Sequence, residues 1–108
     1  MDMVIKRFDV YFIDLDPTVG SEIKKTRPCV IISPDEVNRS LNTVIVAPLT
    51  STIRRYPTRV DCIIDKKSGQ VALDQLRAID KTRLGQKLGR LDTGSCDIIL
   101  ETLQALFS

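Results

Sequence analysis

The sequence contains no histidine and no tryptophan, and its three cysteines, Cys29, Cys62 and Cys96, stand far apart. Without imidazole there is no Ser-His or Cys-His nucleophile pair. Without a CxxC pair or a histidine, the usual zinc ligand sets are also missing. Each cysteine lies among apolar neighbours and reads as a buried structural thiol. Aromatic residues amount to 5% of the chain, too few to advertise base stacking. The net charge is only +2, so no global basic field attracts nucleic acid, and any polyanion site must be a local patch. No run approaches the roughly 18 apolar residues of a membrane span. The first seven residues carry no apolar core of signal-peptide length. A cytoplasmic protein is expected, with no membrane association, metal or cofactor.

What is present suits one small domain spanning residues 1–108, with 43% hydrophobic and 28% charged residues and a length sufficient for a single core. Residues 9–15 (DVYFIDL) are rich in β-branched and aromatic side chains and end at the turn signal Asp16-Pro17. Residues 18–26 have no periodicity and read as a mobile polar loop. Further strands are expected at 29–33, 43–49, 58–64 and 70–73, with a short extended piece at 76–79. One helical turn is expected at 35–39, capped by Ser33 or Asp35. Lys66-Lys67-Ser68-Gly69 reads as a hairpin turn. At the C-terminus, Cys96, Ile99, Leu100, Leu103, Leu106 and Phe107 fall at helical spacing, with Thr93 or Ser95 as the cap. Short strands followed by one helix predict a mainly β fold, a small closed antiparallel barrel capped by a C-terminal helix.

Two places on that barrel stand out. Pro28 cannot donate to a sheet ladder and restricts the residue before it to an extended shape, so Arg27 is expected at a strand mouth, outside the core. Thr50 is expected to emerge at the end of its own strand, after Val46-Ala47-Pro48-Leu49. Glu22, Lys24, Lys25 and Arg27 then share one rim. Ser51, Thr52, Arg54 and Arg55 form a second cluster of hydroxyls and guanidiniums. Two such rims could follow a phosphate backbone while most of the surface stays neutral. Arginine matches phosphate through parallel N–H donors and keeps its charge. It is a poor general base for the same reason. Glu22 is the candidate for that role or for positioning Arg27.

Several of these residues form an ordered pattern. Residues 9–17 (DVYFIDLDP), Gly20-Ser21-Glu22, and Thr26-Arg27-Pro28 before an apolar strand and Ser33-Pro34 come first. Asn38-Arg39, Val46-Ala47-Pro48-Leu49-Thr50 and residues 74–80 (DQLRAID) follow. This order resembles the MazF/PemK family of type II toxin–antitoxin toxins over nearly the whole chain. One departure is Phe8, where the family usually has glycine.

The resemblance implies an SH3-like barrel of the CcdB/PemK type, usually a homodimer. It implies a metal-independent, sequence-selective endoribonuclease that cuts single-stranded RNA through the substrate's own 2′-hydroxyl, leaving a 2′,3′-cyclic phosphate and a 5′-hydroxyl. The family's catalytic arginine and threonine fall on Arg27 and Thr50, and Asp74 and Gln75 fall on the RNA-binding face. The PemK branch uses an arginine–aspartate pair instead; Asp74 matches its aspartate, but Ala72 occupies the arginine's place. An acidic antitoxin is the implied partner. Two rivals are a CcdB-like gyrase poison, whose functional C-terminal tryptophan is missing here, and a non-catalytic RNA-binding barrel.

Overall fold

Apolar side chains occur on both parities of the first strands, so a sheet made from them has two faces to bury. The computed structural model, which describes residues 4–23 and 25–108, buries both. The strands are β1 (Asp9–Asp14), β2 (Thr26–Ile31), β3 (Thr43–Thr50), β4 (Arg59–Ile64), β5 (Lys67–Ala72), β6 (Arg77–Asp80) and β7 (Leu84–Arg90). The helices are α1 (Asp35–Ser40) and α2 (Thr93–Leu106). The antiparallel sheet runs β4-β5-β3-β2-β1-β7, with β6 paired to the first half of β3. One face gathers Val10, Val30, Ala47, Leu49, Val60, Val71 and Leu73 beneath Cys96 and Ile99 of α2. The other gathers Tyr11, Ile13, Cys29, Ile31, Val44, Val46 and Ile79. Residues alternate across a strand, which is why neighbours such as Cys29 and Val30 join different cores.

The mainly β antiparallel sheet with its C-terminal helix is as the strand pattern predicts, and it curls as a half-barrel. Among the described residues β4 and β7 exchange no ladder pairs; instead the Ile64 side chain comes within 3.9 Å of where a Cβ on Gly89 would lie. β7 itself was not anticipated. Its sequence, Leu84-Gly85-Gln86-Lys87-Leu88-Gly89-Arg90, does not alternate, because its pairing with β1 shifts register twice and its faces are never cleanly divided.

Other boundaries move for identifiable reasons. β2 begins at Thr26, three residues before the expected start, since Thr26, Arg27 and Pro28 pair with Asp14, Ile13 and Phe12 of β1. Its expected end at Ser33 gives way to Ile31, because the Ile32 and Ser33 N–H groups both bond the Ile45 carbonyl and the Ile45 N–H turns to the Ser33 hydroxyl instead of a backbone oxygen. The hairpin between β4 and β5 turns on Asp65 and Lys66, with φ of 49° and 65°, as a tight two-residue turn requires. Lys67, Ser68 and Gly69 therefore belong to β5 and not to the turn.

Neither expected helix cap forms. Pro34 precedes α1 without a side-chain cap, and Asp35 Oδ1 accepts the Arg7 N–H at 2.8 Å. Asp92 caps α2, accepting from Ser95 N–H, so Thr93 is already helical. The expected apolar stripe of α2 is only partly buried: Cys96 and Ile99 enter the core and Leu103 packs against it, while Leu100, Leu106 and Phe107 are exposed. A single sheet covers only one side of so narrow a helix. No helix among the described residues is long and apolar enough to cross a membrane.

Candidate active site

One proline decides where β2 and β3 part. The ladder pairs Ile31 with Val46, Val30 with Ala47 and Cys29 with Pro48, and goes no further. Ile31 turns its carbonyl toward the β1 side, accepting Phe8 N–H at 2.7 Å. By alternation Pro28 turns its nitrogen toward β3, where it has no hydrogen to give. The strands separate there. Continuing the register sets Arg27 opposite Thr50, both on the face that carries Cys29 and Val46.

Beyond the last pair lies a groove of about 300 Å³ that Arg27, Thr50, Ser51 and Lys67 line together with the apolar Pro28, Leu49, Cys62 and Ile64. Arg27 is half-buried and Thr50 is 9% exposed. Burial pushes the Cys29 thiol up to about 12, with Arg27 and Arg77 pulling it down. Two guanidiniums therefore flank a thiol that stays neutral and unreactive.

Thr50 is held on both sides. Its Oγ1 accepts the Thr52 N–H at 3.1 Å, which occupies one lone pair and leaves the hydroxyl hydrogen to donate. Across the β3–β5 ladder it faces Gln70. Gly69, next to Gln70, approaches so closely that a Cβ there would fall 2.8 Å from the Thr50 carbonyl oxygen. Glycine is needed at that position for its missing side chain, not for a turn.

The remaining predicted residues fall into groups. Thr52, Arg54 and Arg55 are exposed on the segment 51–57 beside the groove. Glu22, Asp74 and Gln75 line a smaller cavity of about 150 Å³ with Pro48 and Arg77. Glu22 does not reach for Arg27: its carboxylate accepts the Val19 N–H and closes its own turn. Lys25 is exposed, and Lys24 lies outside the described residues.

Asp74 is engaged by Arg59 through two bonds, of 2.8 and 3.2 Å, and by the Thr58 hydroxyl at 2.9 Å. Arg59, its guanidinium 5.2 Å from the Tyr56 ring centre, holds the Asp74 carboxyl below the ordinary carboxylate range, with Thr58 helping. Arg59 pairs with Ala72 across β4 and β5, so Asp74 meets an arginine from the neighbouring strand.

The polar loop between β1 and β2 is tied at its base. Arg77 donates to the Leu15 carbonyl at 2.7 Å, Leu15 N–H reaches the Lys25 carbonyl at 3.3 Å, and Ile23 N–H reaches Gln75 at 3.3 Å. Sequence reading missed Arg59, Lys67, Gly69, Gln70 and Arg77. Gln70 carried a signal, as an amide heading the apolar run Val71-Ala72-Leu73, and Arg77 another, inside the pattern of residues 74–80.

Known proteins share the sequence pattern and the fold. The sequence model of the PemK-like, MazF-like toxins of type II toxin–antitoxin systems matches residues 6–107. Endoribonuclease EndoA of Bacillus subtilis is 43% identical over 110 residues, covering 94% of this chain and 93% of that protein. A mycobacterial endoribonuclease solved with its cognate antitoxin is 27% identical with a TM-score of 0.81, over 95% of this chain and 94% of that one. MazF from Deinococcus radiodurans, at 24% identity, shares the fold with a TM-score of 0.85 over 98% of each chain.

Proposed function

We propose that this chain, which belongs to the PemK-like, MazF-like toxins of type II toxin–antitoxin systems, is an endoribonuclease that cuts single-stranded RNA in the groove between Arg27 and Thr50. The observation that carries this reading is that a guanidinium and a hydroxyl with its hydrogen left to donate line one groove and stand opposite each other in the continued strand register.

The substrate's 2′-oxygen attacks the adjacent phosphorus, the bond to the 5′-oxygen breaks, and a 2′,3′-cyclic phosphate and a 5′-hydroxyl result. Negative charge grows on the non-bridging oxygens during attack. Arg27 neutralises it where it develops, and Thr50 donates its hydroxyl hydrogen to the same phosphate. Lys67 adds positive charge to the groove lining.

The 2′-hydroxyl must lose a proton and the 5′-oxygen must gain one. Glu22 spends Oε1 on the Val19 N–H, which ties it to its own turn and a role in shaping the rim while leaving Oε2 to accept a proton. Lys24, Lys25, Ser51, Thr52, Arg54 and Arg55 would hold flanking phosphates, and Gln75 would offer its amide to a base edge. Asp74, locked to Arg59, would act there as an acceptor and as a brace for the neighbouring turn. On this reading the protein works in the cytoplasm. A cognate acidic antitoxin is its partner, and a second copy of the chain completes the working unit.

Incubation with a long single-stranded RNA in excess EDTA tests the reading. Cuts with cyclic phosphate ends are expected, with the corresponding duplex resistant. Activity that vanishes in EDTA and returns with magnesium would refute the mechanism.

A further inference from the structure

Gln70 is 5% exposed, and burying a primary amide is unfavourable unless its hydrogen bonds are met. Here they are. Its Oε1 accepts the Arg54 N–H at 3.0 Å, and its Nε2 donates to the Arg54 carbonyl at 3.1 Å and to Asp61 Oδ1 at 2.9 Å. The network fixes the amide's orientation, since the flipped amide would set oxygen against oxygen at both Asp61 and Arg54. The two bonds to Arg54 copy the exchange of a β-ladder within residues 51–57, which form no strand of their own.

The backbone of Gln70 is meanwhile the ladder partner of Thr50. The chain leaving Thr50 is thus tied down twice: Thr52 N–H sits on the Thr50 hydroxyl, and the Arg54 main chain sits on the Gln70 side chain.

We infer that Gln70 is a positioning residue for RNA cleavage, holding residues 51–57 through Arg54 so that Thr52 keeps the Thr50 hydroxyl aimed into the Arg27 groove. The inference rests on the endoribonuclease reading of that groove. A purely structural strut would affect stability and leave the turnover of the folded protein alone.

Gln70→Met keeps the length and burial of the side chain and removes all its hydrogen bonds. The folded variant is expected to exchange its amide hydrogens at 51–57 faster than wild type. Its kcat should fall about tenfold or more, because a small displacement of a reacting group is severe, while KM stays within about twofold. In a Thr50→Ala background the same change should add no further loss, since the group being aimed is gone.

Gln70→Glu provides a second reading if the methionine variant does not fold. Ionised, the carboxylate opposes Asp61 and the Arg54 carbonyl; protonated, it is isosteric with the amide and regains a donor. Its kcat relative to wild type should rise as pH falls from about 8 to about 6, burial and Asp61 both favouring the neutral form.

Wild-type kcat in folded Gln70→Met, full additivity with Thr50→Ala, or a pH-independent ratio for Gln70→Glu overturns the inference. Unchanged hydrogen exchange at 51–57 in Gln70→Met overturns it without reference to activity. A wild-type protein that cuts no RNA instead overturns the reading of the groove itself.

Discussion

Arg27 and Thr50 owe their exposure to the groove to residues that do no chemistry. Pro28 ends the ladder beside Arg27, and Gly69 lets β5 close upon the Thr50 backbone. Arg27→Ala should lower kcat by on the order of 10²–10³, the scale for losing one transition-state donor. Thr50→Ala should also impair cleavage, and both proteins should keep the wild-type circular dichroism spectrum. Near-normal turnover of folded Arg27→Ala would remove the guanidinium from the reaction.

Phe8 poses a different contest. It adopts φ of 74°, in the left-handed region that favours glycine, yet its ring is buried in the core beneath α2. The backbone strain is about 1–2 kcal/mol, whereas truncating a buried phenylalanine costs about 3–5 kcal/mol. Packing wins, so Phe8→Gly should destabilise the protein in urea unfolding despite relieving the backbone. A gain in stability would mean that the strain dominates.

Between elements, the Arg59–Asp74 pair joins the start of β4 to the turn Leu73–Gln75 that follows β5. Arg59 depresses the Asp74 carboxyl in the folded state. A depressed carboxyl contributes stability above its unfolded pKa and loses it as pH falls through the folded one. The contribution should be present at neutral pH and disappear progressively below about pH 4. Urea midpoints at neutral pH and at pH 3 should therefore fall further for wild type than for Asp74→Asn. Equal falls would show that the pair adds nothing to acid stability. The same pair limits what Asp74 can offer RNA, since the arginine already holds both carboxylate oxygens.

On the molecular scale, a net charge of +2 leaves recognition of a polyanion to local clusters around the groove. Those clusters, Lys25, Arg27, Arg54, Arg55 and Lys67, would attract carboxylates as readily as phosphates. An acidic antitoxin segment should compete with a non-cleavable RNA analogue, and both should bind more weakly as salt rises. Simultaneous binding of the two with unchanged affinities would exclude direct occlusion. Light scattering at micromolar concentration should give twice the 12.1 kDa chain mass, closed two-fold pairs being the commonest homo-oligomer. A fully active monomer would show that one chain holds the whole groove.

The sequence alone carried the order of the strands with clear apolar composition, the helical ending, the buried thiols and the strand-mouth positions of Arg27 and Thr50. Each follows from local chemistry: side-chain period, proline's missing donor and fixed geometry, and the burial preference of cysteine. It did not carry β7, whose twice-shifted pairing with β1 erases alternation, nor the Asp92 cap, which competed with Thr93 and Ser95 for one role.

Partners distant in sequence were decided only by the tertiary structure. Arg59 meets Asp74, Arg77 meets Leu15, Gln70 meets Arg54, and Glu22 closes on its own loop rather than on Arg27. A side chain's type states what it can bond. Which bond it makes depends on the register and curl of a sheet that brings residues 15 or more positions apart to within hydrogen-bond distance, and no local pattern records that geometry.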